Sequence, residues 1–397
     1  MELVPLRIFV VAPSAMLTDH LPHGDGLVAF GFIDELARRG HELHVAAGRV
    51  DVRRDFPPNV RLYPLGADLS GKAGRLHFMW SLRRLYRRLA PSTRVDLVHQ
   101  LTPVEVGVSL ALTDTPVPIV LGPYVPDWAP SAEGADSVVG PIAQYMKRVL
   151  RAAQQRRATT VLLSTPAAAQ KLERAAGRSL NVRELPLGVD DRTWVPADED
   201  GEGEDVLFLA SLEVRKGIYV ALDAFARLAQ ELPQARLLVA GAGLESEAVR
   251  ERVRTSPELA RVELLGRLDR HRARAVMQEC DVYCLPSYGD PNPLAVLEAM
   301  ACARPVVTTN AGGLRYLVSD SGGRKVPPGD PAALATALRE LLRDTALRRA
   351  MGDHNRALVE ERYAWARVGD RLEGLYRETL RQPSTSPRPD AARLRKS

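Results

Sequence analysis

Apolar runs of strand length recur along the chain and alternate with amphipathic helix patterns. Six runs lie in the first half and five in the second: 7–13, 42–47, 96–101, 118–123, 160–165, 182–187, then 205–211, 235–241, 261–266, 281–287 and 304–309. Their apolar character is nearly continuous, which is typical of strands covered on both faces. The pattern predicts an α/β protein with parallel sheets.

Helical periodicity lies between these runs. The segment 26–40 is amphipathic and closes with Gly40-His41, which indicates a helix stop and a chain reversal. A second strong amphipathic pattern covers 365–380 near the end of the chain. The alternation of strand and helix patterns is typical of doubly wound domains.

A polar, acidic break separates the two halves. The residues 197–205 read ADEDGEGED and contain no large apolar side chain, which indicates a linker. A chain of 397 residues is also too long for one ordinary core. We therefore predict two doubly wound, Rossmann-like domains facing across a cleft, at 1–196 and 205–364, with a linker at 197–204.

The composition describes a globular protein. Hydrophobic residues make up 45% of the chain and charged residues 26%, and no apolar run approaches the length of roughly 20 residues needed to cross a membrane. The opening MELVPLRIFVVAPS has an acid and no cationic region, so it predicts a first strand and not a signal peptide. The tail 383–397 is Pro/Ser-rich and basic, which predicts disorder.

Charge and cysteine content exclude further classes. The net charge of +5 is modestly basic, but acids and bases are mixed along most of the chain, and no RNA-binding aromatic signature or zinc spacing is present. We therefore expect no nucleic-acid partner. The three cysteines, Cys280, Cys284 and Cys302, lie in apolar surroundings and indicate buried free thiols in a reducing cytoplasm.

The segment 287–318 carries the most specific chemical signal. A polar loop containing Asp290 is followed by an apolar helix pattern containing Glu298, a β-branched strand and a second loop. Backbone N–H groups after Pro293, chiefly those of Leu294 and Ala295, have no partner inside a helix and carry its positive dipole end. This combination suits a ligand with a central diphosphate and hydroxyl groups at both ends, such as a nucleotide sugar.

The same segment resembles the donor-binding signature of the retaining glycosyltransferases of family 4, which have the GT-B fold. Asp290 stands where the family usually has a first Glu, and Glu298-Ala299-Met300-Ala301 matches the second. Further resemblances lie at 208–217, 238–245, 184–190, 40–45 and 96–99, in the family's order. The resemblance implies sugar transfer from a nucleoside-diphosphate sugar, most often a UDP-sugar, to a hydroxyl group with retention of anomeric configuration. It implies no cofactor and no metal, and a C-terminal helix, 365–382, that returns to the N-terminal domain.

The family pattern also implies roles for individual residues. Lys216 would contact the donor phosphates, although an exposed loop lysine is the simpler alternative. Ser211 stands where an Arg is usual, and Arg215 is a candidate to supply the missing charge. Glu298 would hold the ribose hydroxyls. Asp290, with Asn292 and Pro293 beside it and Leu294 after them, would contact the donor sugar; a turn-forming Asp is the alternative.

Weaker resemblances imply further contacts to the nucleotide base, to the donor phosphates and to a sugar. The residues Gly266, Arg267 and Leu268 would contact the base, or they form an ordinary strand-to-helix turn. Gly241 would allow close backbone approach at a strand end. In the first half, Gly24 and Gly26 would approach the phosphates, with flexible-loop glycines as the alternative. His99 would position a sugar, or it is a satisfied core histidine.

The segment 72–89 leaves the acceptor open. It combines an apolar face with five arginines, which is typical either of a helix lying on an anionic membrane surface or of a helix packed on the sheet. We therefore expect a cytoplasmic enzyme with a possible peripheral membrane contact, acting on a small-molecule, glycan or lipid acceptor. The alternatives are a nucleotide-sugar epimerase or hydrolase and a non-catalytic nucleotide-sugar-binding partner. The Ser211 departure gives the non-catalytic partner some weight, whereas the retained Lys216, Asp290 and Glu298 argue against it.

Overall fold

The computed structural model describes residues 4–67, 69, 71–112, 115–128, 140–174, 180–197 and 203–382. The chain forms two compact units. Unit 1 comprises Met1–Val125, Val139–Leu187 and Val368–Ser397, and unit 2 comprises Pro126–Val138 and Gly188–Arg367. Most of the predicted linker, 198–202, and the predicted disordered tail, 383–397, lie outside the described residues.

Unit 1 is built on a parallel sheet covered by helices. Its strands are β1 Arg7–Ala12, β2 Leu17–Thr18, β3 Glu42–Ala47, β4 Val50–Asp51, β5 Val60–Pro64, β6 Leu97–Gln100, β7 Ile119–Tyr124, β8 Thr160–Leu163 and β9 Val182–Glu184. Its first three helices are α1 Gly24–Arg38, α2 Lys72–Leu89 and α3 Pro141–Arg157. Seven strands form the sheet in the order β5-β3-β1-β6-β7-β8-β9, and β2 pairs separately with β4. Every strand pair in this unit is parallel.

The arginine-rich helix α2 packs on this sheet. Phe78, Leu82, Leu85 and Tyr86 are buried and join the hydrophobic cluster formed with strand residues such as Phe9. The segment 72–89 therefore packs on the sheet through one face, while a peripheral membrane contact stays a prediction. Since these four side chains repeat at helical spacing, they form the core-facing stripe of an amphipathic helix.

Unit 2 repeats the doubly wound plan. Its strands are β10 Asp205–Leu209, β11 Arg236–Ala240, β12 Val262–Gly266, β13 Val282–Leu285, β14 Val306–Thr309 and β15 Gly323–Val326. Its helices are α4 Ile218–Glu231, α5 Ser246–Thr255, α6 Arg270–Glu279, α7 Leu294–Ala301, α8 Leu314–Leu317, α9 Pro331–Arg343 and α10 Thr345–Leu358. The strands are parallel, in the order β12-β11-β10-β13-β14-β15.

The strand order of unit 2 defines where a ligand is expected. The chain runs outward from β10 through β11 to β12 and then returns to place β13 on the other side of β10. The order therefore reverses between β10 and β13. In open α/β sheets, ligands bind outside the carboxyl ends of the strands at such a switch point.

The last helix, α11 Trp365–Arg381, belongs to unit 1 from Val368 onward. Leu372 and Tyr376 are buried in that unit. The carboxylate of Glu373 accepts hydrogen bonds from Arg39 and from the ring of His41, both at 2.9 Å. Because Glu373 and His41 are almost fully buried, this network ties α11 firmly to α1 and β3.

Each of the eleven predicted strands overlaps an observed one, and the helix predicted at 26–40 is α1. The structure adds β2, β4, β5 and β15, which the patterns did not indicate. Both β5 and β15 are edge strands. Cys280, Cys284 and Cys302 are buried free thiols, as predicted. Within the described ranges, none of the helices has the length and apolar character that a membrane crossing requires.

Candidate functional site

Loops at the carboxyl ends of β10, β11, β13 and β14 pack together with direct backbone contact. A Cβ atom on Gly241 would lie 1.8 Å from the carbonyl oxygen of Ala210, and Gly241 has a φ of +143°. A Cβ atom on Gly313 would lie 1.7 Å from the carbonyl oxygen of Pro291. Only glycine allows either approach. These loops therefore form one closely packed platform at the end of the sheet in unit 2.

The loops after β10 and β13 are joined at the switch point. The carbonyl oxygen of Arg215 accepts hydrogen bonds from the backbone N–H of Tyr288 at 3.0 Å and from the Ser287 hydroxyl at 3.1 Å. The same hydroxyl accepts the backbone N–H of Asp290 at 3.0 Å. Lys216 follows Arg215, and so the backbone brings Lys216 and Asp290 to the same place although 74 positions separate them.

Lys216 and Asp290 form an ion pair. Asp290 is buried and the Lys216 side chain is 17% exposed. Asp290 Oδ1 also accepts the backbone N–H of Asn292 at 3.3 Å, so the aspartate closes a turn as well as binding the lysine. Two of the residues expected to act on the donor therefore lie in direct contact.

Arg215 lies next to this pair but is already engaged. Its guanidinium binds the Glu213 carboxylate and lies 4.2 Å from the centre of the Trp128 ring. Burial alone would raise the pKa of Glu213, but hydrogen bonds from Arg215 and Ser211 hold that pKa below its ordinary value. The charge of Arg215 is thus partly balanced by Glu213, and its role as a substitute for the arginine missing at Ser211 stays a prediction.

The start of α7 presents unpaired backbone donors. Its N-cap residue is Pro293, which provides no side-chain cap. The N–H groups of Leu294 and Ala295 bind no acceptor among the residues that the structure describes. These donors carry the positive end of the helix dipole and lie a few residues beyond Asp290 in the chain.

Glu298 lies one turn into α7 and is half-buried. Burial raises the pKa of its carboxyl group to about 7, and Arg270 partly opposes this shift. Within the described parts of the chain, its carboxylate accepts no side-chain or backbone hydrogen bond. A buried structural acid would have such partners, so the environment favours a carboxylate reserved for a ligand.

The loop predicted to contact a base follows β12. Gly266 has a φ of +66°, and its carbonyl oxygen accepts the N–H of Gly241 at 2.8 Å. Arg267 is exposed and Leu268 is half-buried. This loop leads directly into α6, whose first residue, Arg270, acts electrostatically on Glu298. The predicted base loop and the predicted ribose acid are therefore neighbours.

The remaining predicted site residues belong to unit 1. Gly24 is the first residue of α1, and the ring of His23 caps the helix by accepting the N–H of Gly26 at 3.1 Å. A Cβ atom on Gly26 would lie 2.1 Å from the carbonyl oxygen of Met16, whereas Gly24 has open space around it. Packing alone therefore requires glycine at 26, and Gly24 is the freer of the two.

His99 is a fully buried histidine in unit 1. Its Nε2 lies 2.8 Å from the carbonyl oxygen of Gly122, which can only accept, so Nε2 carries the proton. Its Nδ1 then accepts the hydroxyl of Tyr376 at 2.6 Å. Burial lowers the pKa of His99 to about 4. With both ring nitrogens bonded and the ring neutral, this environment favours the core-histidine alternative and not the sugar-positioning role.

Three site residues escaped sequence reasoning. Trp128 contacts both Arg215 and Lys216, with the lysine nitrogen 4.8 Å from the centre of the indole ring. Glu213 neutralises Arg215, and Arg270 acts on Glu298. Glu213 is two positions from Arg215, so the charge pair is visible in the sequence. No sequence pattern indicates the contacts of Trp128, which lies far away in the chain.

Comparison with known proteins places this architecture in a family. The model for "Glycosyl transferases group 1" matches residues 203–344, and the model for "Glycosyltransferase Family 4" matches residues 24–193. The chain belongs to the group 1 glycosyltransferases. The two matched ranges lie almost wholly on opposite sides of the division near Leu187.

Curated relatives cover the chain to different extents. It is 27% identical to a phosphatidyl-myo-inositol mannosyltransferase of Mycobacterium tuberculosis over 94% of this chain and 96% of that protein. It is 30% identical to a glycogen synthase of the same species, over 48% of this chain. It is 34% identical to a phosphatidyl-myo-inositol mannosyltransferase of Mycobacterium leprae, over 49% of this chain. The matches span about half the length of these last two relatives, 46% and 52%.

Solved structures share the fold. A sucrose-phosphate synthase from Thermosynechococcus elongatus has a TM-score of 0.72 at 20% identity, covering 94% of this chain and 98% of that one. The Anabaena protein HepE in complex with UDP has a TM-score of 0.71 at 20% identity, covering 94% and 100%. Together with the two parallel, doubly wound sheets, these similarities show the GT-B fold.

Proposed function

We propose that the protein is a retaining glycosyltransferase that moves a sugar from a nucleoside-diphosphate sugar to an acceptor hydroxyl. One observation carries the proposal. At the switch point of unit 2 lie a lysine, the N–H groups that open α7 and the carboxylate of Glu298, and in the described part of the chain neither those N–H groups nor that carboxylate has a hydrogen-bond partner. A cation and the positive end of a helix dipole bind a diphosphate, and a carboxylate accepts hydrogen bonds from ribose hydroxyl groups.

The chemistry assigned to each group follows from its properties. Lys216 and the start of α7 would stabilise negative charge that develops on the departing diphosphate. Glu298 would accept hydrogen bonds from both ribose hydroxyl groups, and Asp290 would accept hydrogen bonds from hydroxyl groups of the transferred sugar. The bond between the anomeric carbon and the phosphate oxygen breaks while the acceptor oxygen bonds on the same face, and the acceptor proton passes to the leaving phosphate. We propose that side-chain charge and the helix dipole, without a metal, neutralise that phosphate.

UDP is the first nucleotide to test, since HepE was crystallised with UDP and UDP-glucose. GDP is the main competitor, because a relative from Corynebacterium glutamicum is named as GDP-mannose-dependent. The relatives named as phosphatidyl-myo-inositol mannosyltransferases make a lipid or cell-envelope acceptor a candidate beside a small molecule.

The proposal is tested by calorimetric titration of UDP, GDP, ADP and dTDP into wild type, Lys216→Ala and Glu298→Ala. We expect one nucleotide to bind at micromolar strength and both variants to weaken it at least tenfold. Lys325→Ala is the matched control, since Lys325 is also ion-paired in unit 2, at 2.9 Å from Asp320. Binding that ignores both substitutions would place the donor elsewhere. Added EDTA should leave the affinity unchanged.

Measuring turnover of the donor distinguishes a transferase from a protein that only binds the nucleotide sugar. The alternative, a non-catalytic nucleotide-sugar-binding partner, draws support from Ser211 and from the neutralised Arg215. A transferase should hydrolyse the matching donor slowly without acceptor, and Lys216→Ala should abolish that hydrolysis. A protein that binds the nucleotide tightly but shows no hydrolysis and no transfer would favour the partner. With an acceptor, NMR of the product's anomeric proton tests retention.

A further inference from the structure

Glu213 is an acid on the cationic side of the donor platform, and it has no role toward the ligand so far. It is the N-cap residue of the 3-10 helix Val214–Lys216, but among the residues that the structure describes its side chain makes no capping hydrogen bond. Its carboxylate instead binds the guanidinium of Arg215. An acid at an N-cap normally accepts backbone N–H groups of the helix that follows. The contact with Arg215 therefore points to a role other than capping.

The neighbours of Glu213 hold it against Arg215 in its ionised form. Burial alone would raise the pKa of Glu213, but hydrogen bonds from Arg215 and Ser211, together with the charges of Arg215 and Lys216, hold that pKa below its ordinary value. The carboxylate is therefore negatively charged at neutral pH. Ser211, which stands where the family pattern has an arginine, thus orients an acid and adds no cation.

The two cations of the loop after β10 lie close together. The guanidinium of Arg215 is 4.2 Å and the Nζ atom of Lys216 is 4.8 Å from the centre of the same Trp128 ring. Lys216 forms its ion pair with Asp290, and Arg215 forms one with Glu213. Among these four charged residues, two cations thus face two acids. A diphosphate that binds here has to compete with the acids for the cations.

We propose that Glu213 competes with the donor's diphosphate for Arg215 and takes Arg215 back when the nucleoside diphosphate leaves. The proposal rests on the donor site proposed for unit 2 and adds to it a residue that weakens binding. An anion that approaches Arg215 must separate it from Glu213, and phosphate oxygens can do so because a phosphate carries more negative charge than one carboxylate. Glu213 is thus a positioning residue, since it acts on the ligand only through Arg215.

The change of charge during sugar transfer gives this competition a function. When the bond between the anomeric carbon and the phosphate oxygen breaks, the phosphate keeps the electron pair and becomes a terminal phosphate. With a second pKa of about 6, that phosphate is mostly dianionic at pH 7, so the product carries more negative charge than the donor. Unopposed cations would therefore hold the product more tightly than the donor. An acid that retakes Arg215 lowers the affinity for both and shortens the time for which the product occupies the site.

The test is calorimetric titration of UDP and GDP into wild type, Glu213→Gln, Arg215→Ala and the double variant. We expect the Kd of the nucleotide that binds to fall about three- to fivefold in Glu213→Gln, in keeping with a partly exposed ion pair. With the matching nucleotide sugar, KM should fall by a similar factor while kcat does not rise. Arg215→Ala and the double variant should bind equally, because the competition needs Arg215. Salt at 0.5 M should shrink the gain.

Glu263→Gln is the matched control, because Glu263 also pairs with an arginine of unit 2, at 3.2 Å from Arg236, and the Kd should not change. The thermal midpoint of Glu213→Gln should stay within about 2 °C of wild type, since a partly exposed pair contributes little to stability.

Three outcomes would overturn the proposal. Equal or weaker binding by Glu213→Gln, when wild type binds a nucleotide, removes the role of Glu213 and leaves the donor site in place. A gain of the same size in the Arg215→Ala background would mean that Glu213 acts on the ligand without Arg215. If wild type binds neither nucleotide, the donor site itself is wrong, and the role of Glu213 falls with it.

Discussion

The free protein favours the protonated carboxyl group of Glu298, whereas binding of a ligand's hydroxyl groups would favour the ionised form. Burial raises its pKa from the ordinary 4.5 to about 7, so the folded protein holds a proton that the unfolded chain has lost between these pH values. The folded state binds more protons, and stability therefore falls as pH rises from 4.5 to 7. A ligand with two hydroxyl donors would bind the ionised form and offset that loss.

We predict that Glu298→Gln stabilises the protein while weakening nucleotide binding. At pH 8 the free energy of unfolding should rise by about 1–2 kcal/mol, which is less than the full shift implies because Glu298 is partly solvated. At pH 4 the variant and wild type should be equally stable. Urea denaturation at the two pH values measures this difference.

The same titration governs binding. We expect nucleotide affinity of the wild type to fall as pH drops below 7, since protonated Glu298 accepts fewer hydrogen bonds from ribose. In Glu298→Gln that dependence should become weaker, and what remains should come from the terminal phosphate of the nucleotide, whose second pKa is about 6. Equal stability of wild type and variant at both pH values would show that Glu298 is an ordinary structural acid.

Trp128 covers the cations that a diphosphate would need. Its indole ring lies against Arg215 and Lys216, and both contacts are weakened if an anion draws the cations away. We predict that Trp128→Ala binds nucleotide about two- to fivefold more tightly, because the free protein no longer gives up a cation–π contact. Calorimetry measures the change, and tryptophan fluorescence of the wild type should shift during the titration.

A matched control exists for this substitution. Trp80 also contacts an arginine, but it lies in unit 1 and is 61% exposed. Trp80→Ala should leave nucleotide affinity unchanged. Weaker binding in Trp128→Ala would mean instead that the indole stacks on the ligand.

Among the elements, the loops that follow the strands of unit 2 depend on glycine for contact. We predict that Gly241→Ala destabilises the protein by more than about 2 kcal/mol, since its Cβ would meet Ala210 at 1.8 Å and its φ is +143°. Gly374→Ala, in α11 with open space around it, should stabilise by up to about 1 kcal/mol. Thermal unfolding compares the two. Similar effects of both substitutions would contradict the close packing of the loops.

Sequence patterns predicted every interior strand of the two large sheets and the edge strands β9 and β12, and they missed the edge strands β5 and β15. Central parallel strands are covered on both faces, so their residues are continuously apolar and the pattern is unmistakable. The edge strands β5 and β15 read VRLYP and GRKV, and the β5 residues are all partly or fully exposed. Edge strands bury only part of each residue and often carry charges, so they lack the apolar run.

For the candidate site, the positions of the main residues were predictable from the sequence, but their surroundings were not. Lys216 and Asp290 follow predicted strands of one doubly wound domain, Glu298 lies in the helix pattern just after Asp290, and parallel strands bring such ends to one edge. The environment of each residue was not predictable, because it depends on contacts between loops distant in the chain. Trp128 against Arg215 is one example, and the hydroxyl of Tyr376 bonded to His99 is another.

For the whole molecule, the path of the chain makes unit 1 depend on its last helix. The chain leaves unit 1 after Leu187 and re-enters it at Val368. There α11 contributes buried Leu372 and Tyr376, and Glu373 neutralises Arg39. Without α11, the buried rings of His41 and His99 would lose their hydrogen bonds with Glu373 and Tyr376, at a cost of about 1–3 kcal/mol each.

We therefore predict that deletion of 368–397 unfolds unit 1 selectively. Unit 2 keeps all its strands, and Trp365 keeps its place against Gly188, where a Cβ would lie 2.5 Å from the indole ring. Hydrogen exchange should show lost protection in β1 and β6 with protection retained in β10 and β11. Nucleotide binding should persist, because every residue assigned to it except Gly24 and Gly26 lies in unit 2. Loss of protection in both sheets together would show instead that the two units fold as a single cooperative structure.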